Sequence, residues 1–63
     1  MNNKYELISL KEANDMSMTK IETQLGICRR RIVDDTGLSE SDANTLMTNI
    51  MRLSWAYQNK KQS

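Results

Sequence analysis

Proline, histidine and phenylalanine are absent from this sequence, cysteine occurs once and glycine twice. Each shortage closes a route. Without histidine the commonest general base and metal ligand is missing, and a lone Cys28 can neither form an intrachain disulfide nor complete a structural zinc site. Without proline, and with only Gly26 and Gly37 as breakers, little interrupts a chain rich in Leu, Ile, Met, Lys, Gln and Glu, which points to an all-α fold. No apolar run approaches the roughly 20 residues of a membrane span. The opening MNNKYEL lacks the charged-then-apolar pattern of a secretion signal. The expectation is a soluble, cytoplasmic protein in a reducing compartment, with Cys28 acting as a small buried hydrophobe.

Strong charge of either sign is also lacking. Nine Lys and Arg stand against eight Asp and Glu, a net charge of +1, far from the basic balance that accompanies phosphate-backbone binding. Arg29, Arg30 and Arg31 form a local basic run, but Asp34 and Asp35 follow within about a helical turn. At 63 residues the chain makes one small domain, 1–63. A chain of that size buries only about 60% of its unfolded surface, so helix packing or oligomerisation must supply the stability that disulfides and metals do not.

What is present is helix punctuation. Thr19-Lys20-Ile21-Glu22 has the form of a capping box and predicts a helix start at Thr19. Ser39-Glu40-Ser41-Asp42 predicts a second start at Ser39, with Leu38 and Ala43 as a weak hydrophobic staple. Between them Gly37 is placed to end the first helix in a left-handed conformation, with Leu38 packing on Val33. Ile21, Leu25, Cys28 and Ile32 fall on one stripe of the first helix, and Ala43, Leu46, Ile50, Leu53 and Tyr57 on one stripe of the second. Two facing stripes joined by a short connection make an antiparallel helical hairpin. Asn3 with Glu6, or Ser9 with Glu12, would cap a short N-terminal helix. The expected helices are therefore near 4–14, 19–36 and 39–59, with 60–63 fraying.

One stripe is left over. Met47, Met51 and Trp55 recur at intervals of four, well around the helix from Leu46, and Ile27 and Val33 lie off the seam of the first helix on opposite sides. A single partner helix cannot cover all of this. The N-terminal helix is expected to fold back over part of the Met and Trp stripe. Two hairpins are expected to complete a four-helix-type bundle as a homodimer, with the N-terminal helices outside. Met47, Met51, Trp55 and Ile27 are the candidate surface for self-association or for another protein.

The stretch LGICRRRIVDDTGLSES, residues 25–41, admits a second reading. QLGICRRRI resembles the turn and early recognition helix of helix-turn-helix DNA-binding proteins, with Leu25, Gly26, Ile27 and Ile32 matching and Cys28 where serine is usual. LISLKEA, residues 7–13, resembles the opening of small excisionase-like or MerR-like domains. The resemblance implies a turn at Gly26 and base and phosphate contacts from Arg29, Arg30 and Arg31. In that family a small residue stands four positions before the glycine and an apolar one nine positions after it. Here Glu22 and Asp35 occupy those places, and both would bury a charge between the two helices. The preferred reading keeps Gly26 inside one long helix at a cost of about 1 kcal/mol relative to alanine, offset where the glycine lets another helix approach closely.

No catalytic constellation accompanies these elements. There is no histidine and no glycine-rich phosphate loop. Asp34, Asp35, Glu40 and Asp42 lack the spacing of a calcium loop and are read as capping and solvated groups. The sequence-level expectation is a non-enzymatic, regulatory interaction protein with no cofactor and no bound metal, acting through an apolar helical surface. The alternative is a helix-turn-helix-like DNA-binding regulator.

Overall fold

The computed structural model describes residues 4–62. These form three helices and no strand: α1, Leu10–Asp15; α2, Met18–Asp34; and α3, Glu40–Gln62. α2 and α3 are the antiparallel hairpin, and α1 packs against α3. The whole is a slab of 38 × 21 × 13 Å.

α2 starts one residue before Thr19. Its cap is Ser17, whose Oγ accepts from the Lys20 N–H at 3.2 Å, so the Thr19–Glu22 box is not used. Two hydroxyl residues two positions apart can each begin the same helix, and the earlier one adds a helical residue. α2 then runs unbroken through Gly26, and the turn at Gly26 implied by the helix-turn-helix resemblance is absent. A Cβ on Gly26 would meet no atom within 4 Å, so no element of the chain makes the close approach that would explain the glycine.

The end of α2 corrects a second expectation. No described glycine has a positive φ, so Gly37 is not a left-handed cap. The helix stops two residues short of 36, and Asp35 replaces the glycine as organiser: its N–H donates to the Arg31 carbonyl at 3.0 Å, and its Oδ1 accepts from the Gly37 N–H at 3.0 Å. A side chain that bonds its own backbone two residues on makes a turn without a left-handed residue. The expected Leu38–Val33 contact is lost with the motif, because Val33 is 78% exposed while Leu38 packs against the core.

α3 is capped by Ser39, whose Oγ accepts from the Asp42 N–H at 3.1 Å. It continues past 59 to Gln62, so the fray predicted for 60–62 is helix instead, and Ser63 lies outside the described residues. Glu40 and Asp42 in the first turn and Lys60 and Lys61 in the last complement the helix dipole along its length.

The core is part of the expected seam plus two additions, with Ala43, Ile50 and Tyr57 only half-buried. Ile21, Leu25 and Cys28 of α2 and Leu46 and Leu53 of α3 are buried, joined by Ala13 of α1 and Ala56 of α3. Ile32, at the end of the α2 stripe, is partly exposed.

The largest departure is at the N-terminus. Of the two candidate caps, Ser9 with Glu12 is realised: the Glu12 N–H donates to Ser9 Oγ at 3.1 Å and the Ser9 N–H to Glu12 Oε1 at 3.4 Å. Residues 4–9 are not helical, and Asn3 lies outside the described residues. A helix of about ten residues is marginal on its own in water. Here the backbone of this segment finds partners on α3 instead, and these compensate for the helical hydrogen bonds forgone.

Candidate interaction surface

α3 has two flanks beside its seam with α2. Thr45, Asn49, Arg52 and Ala56 follow one another at spacings of four, three and four, one stripe on the inner flank. Asp42 lies close to that stripe. The non-helical segment 4–8 lies along it and is held through its backbone. The Lys4 N–H donates to Asp42 Oδ1 at 2.9 Å. Asn49 holds the segment with both ends of its amide: its Nδ2 donates to the Glu6 carbonyl at 2.9 Å, and its Oδ1 accepts from the Ile8 N–H at 2.7 Å. Arg52 donates to the Ile8 carbonyl at 2.8 Å. Asp42, Thr45 and Asn49 are buried, and no buried side-chain nitrogen or oxygen among the described residues lacks a partner.

The same segment clasps the hairpin connection. Lys4 Nζ reaches Asp35 Oδ2 at 2.7 Å, the Tyr5 hydroxyl donates to the same oxygen at 2.9 Å, and the Arg31 guanidinium lies 4.7 Å from the Tyr5 ring centroid. The bonds from Lys4 and Tyr5 hold the Asp35 carboxyl below its usual pKa. Asp35 in turn raises the Lys4 ammonium and the Tyr5 phenol, chiefly through those hydrogen bonds. Four-residue spacing along α2 permits Arg30 with Asp34 and Arg31 with Asp35. The first pair is present at 3.3 Å. The second is not formed, because Asp35 binds Lys4 and Tyr5 while Arg31 stacks on Tyr5.

The outer flank of α3 is bare. Met47, Met51 and Trp55 are 58%, 71% and 52% exposed on one face. The N-terminal segment does not cover them, contrary to expectation, because it lies on the inner flank. Beside this face runs an open cleft of about 440 Å³ between the helices, lined by Glu22, Gly26 and Arg29 of α2 and Ser54, Tyr57 and Gln58 of α3. Glu22, Gly26, Arg29 and Val33 share one stripe of α2, so exposed Val33 borders the same side. Ile27 does not join this surface. It is half-buried in a separate groove with Tyr5, Arg30 and Arg31.

The three consecutive arginines diverge, as successive helix positions must at about 100° per residue. Arg29 lines the cleft, Arg30 is held by Asp34, and Arg31 is held over Tyr5. Burial raises the Cys28 thiol above its usual pKa, which suppresses the thiolate. Among the described residues no cluster of three or more acidic or cysteine side chains is placed to hold a metal ion, and no helix is long and apolar enough to cross a membrane.

Sequence reasoning located Met47, Met51 and Trp55 but missed Asn49, Arg52, Tyr5 and the clasp role of Asp35 and Asp42. The signal available was the polar stripe beside the α3 seam, which at the same helical spacing as a core stripe marks a flank that something polar must meet. Compared with known proteins, the chain matches no protein-family model, no curated protein and no solved structure.

Proposed function

We propose that this chain is a non-enzymatic, regulatory interaction protein whose working surface is the outer face of α3, centred on Met47, Met51 and Trp55. One observation carries the reading: three large apolar side chains in succession, each more than half exposed, lie beside an open cleft. Contiguous apolar surface of this kind marks association sites, methionine adapts its shape to a partner, and tryptophan is the residue most often found at the energetic centre of an interface. The four-helix homodimer belongs to this reading, since a second copy is one candidate occupant of the face. The compartment is taken to be a reducing one such as the cytoplasm, in which Cys28 remains a thiol.

Affinity capture from lysate with wild type, Trp55→Ala and Met51→Glu tests the proposal. Both variants should keep wild-type helicity, because the side chains are exposed, and both should lose whatever the wild type retains. Capture that survives both substitutions would defeat it. Salt-sensitive binding to duplex DNA, lost on replacing Arg29, Arg30 and Arg31, would move the function to the DNA-binding alternative.

A further inference from the structure

The outer face of α3 carries charge at its two ends and none between. Glu40 stands at the start, and Lys61 at the end on the margin toward Tyr57, its Nζ 6.0 Å from the Tyr57 ring centroid; both are exposed, and the face between them holds Asn44, Met47, Met51, Trp55 and Gln58. Of the charges within that span, Asp42 and Arg52 lie on the inner flank, bonded to the backbone of residues 4 and 8, and Lys60 adjoins Lys61 at the cationic end. Such a pattern is self-complementary under one operation. A two-fold axis through Met51, perpendicular to α3, sets Met51 against Met51 of a second copy, Met47 against Trp55, and Asn44 against Gln58. At the ends it sets Glu40 opposite Gln62, one residue from Lys61. A parallel arrangement would instead stack Glu40 on Glu40 and Lys61 on Lys61, and would align the two helix dipoles unfavourably.

We propose that this face is an antiparallel, two-fold symmetric interface between two copies of the chain, with Met51 on the axis. The proposal rests on the reading that the outer face of α3 is the working surface, and it names the occupant. The paired span from Glu40 to Lys61 is about 31 Å at 1.5 Å per residue, long enough for an extended helix–helix seam. Gly26 adds room, since nothing lies within 4 Å of where its Cβ would be, and Val33 offers further apolar surface on the same side. A residue on the axis contacts its own copy, which is the mark of an isologous interface.

The test is solution mass measured by light scattering and sedimentation, on the full chain over a wide concentration range. The wild type should reach twice its 7.3 kDa chain mass. Met51→Glu and Met51→Lys should each be monomeric, since each places two like charges together on the axis, and circular dichroism should show both folded. An equimolar mixture of the two should recover the dimer. Glu40→Lys and Lys61→Glu should each weaken dimerisation by about threefold to tenfold, and the double swap should restore it, as expected for two exposed ion pairs. Dimerisation equal to wild type in Glu40→Lys, Lys61→Glu and the double swap would overturn the antiparallel arrangement. A mixture of the Met51→Glu and Met51→Lys chains that stays monomeric would overturn the axis at Met51. A wild type that stays at chain mass while its lysate capture still depends on Trp55 would sink the second copy and keep the surface. A dimer unmoved by Met51→Glu would sink the dimer proposed here and, if lysate capture also survives the substitution, the surface with it.

Discussion

The two flanks of α3 are treated in opposite ways. The inner flank is largely polar, with Asp42, Thr45, Asn49 and Arg52, and the chain covers it with its own N-terminal segment. The outer flank is apolar, with Met47, Met51 and Trp55, and is left to solvent. Burial of apolar area alone would predict the reverse, at roughly 25 cal/mol per Å² of apolar surface removed from water. The difference shows what a non-helical segment requires. Residues 4–8 carry backbone N–H and C=O groups that a helix would have satisfied internally, and only a polar flank can satisfy them from outside. The stretch from Met47 to Trp55 on the other flank offers only thioethers and one indole N–H. The exposed apolar stripe is therefore not the residue of a chain too short to cover it, because the covering segment was present and went elsewhere.

Breaking the inner flank should have the largest effect. Asn49→Ala removes two of the bonds that hold the N-terminal segment, to the Glu6 carbonyl and the Ile8 N–H, at a site only 3% exposed. It should destabilise the fold by about 2–4 kcal/mol, measured by urea denaturation, through lost hydrogen bonds and backbone groups left without partners. Hydrogen exchange at the Ile8 amide should accelerate in the same variant. An Asn49→Ala protein as stable as wild type would mean that the inner flank is not held by these bonds.

The next effect lies beside the outer flank and has the opposite sign. Gly26→Ala should stabilise the chain by up to about 1 kcal/mol, because the new methyl meets nothing and the helix loses its most flexible residue. Thermal melts at dilutions where copies separate would read it.

A smaller effect belongs to the clasp of Lys4 and Tyr5 on Asp35. The folded Asp35 carboxyl titrates below its unfolded value, so its contribution is present above that value, about 3.9, and is lost as pH falls through the folded pKa. Lys4 and Tyr5 titrate above their unfolded values, so theirs is complete below about pH 10 and is lost as pH rises through the folded values. Melting temperature against pH should show a neutral plateau that falls at both edges. Asp35→Asn should lower the plateau slightly and remove its own part of the acid edge, so that variant and wild type converge at low pH.

How far these features were legible follows the range of the forces involved. The seam of Ile21, Leu25 and Cys28 with Leu46 and Leu53 was readable because helical period is local, and so was the continuity through Gly26, while the Ser9 box was one of two caps the sequence offered and the helix expected near 4–14 begins only at Leu10. The non-helical course of residues 4–8 was not, because its partner Asn49 lies 41 residues from Ile8, and no local pattern announces that pairing. The end of α2 failed for a related reason. Gly37 supplied the familiar helix stop, but Asp35 could bond both the turn and the distant Lys4 and Tyr5, and the side chain with more partners determined the geometry. Spacing put Met47, Met51 and Trp55 on one face, but neither its full exposure nor the flank to which the N-terminal segment folds was legible.

The smallest effect is the sharpest test of the comparison. Met51→Ala, at dilutions where copies separate, should change unfolding free energy by less than about 0.5 kcal/mol, the usual range for an exposed position. The residue is 71% exposed in the single chain, so little packing is lost, and alanine's slightly better helix propensity offsets part of that. The same substitution at high concentration should lower the melting temperature if copies associate through this face, because folding coupled to association reports the interface that the monomer lacks. A residue that is nearly neutral when the chain is alone and costly when copies meet is held there for the contact rather than for the fold.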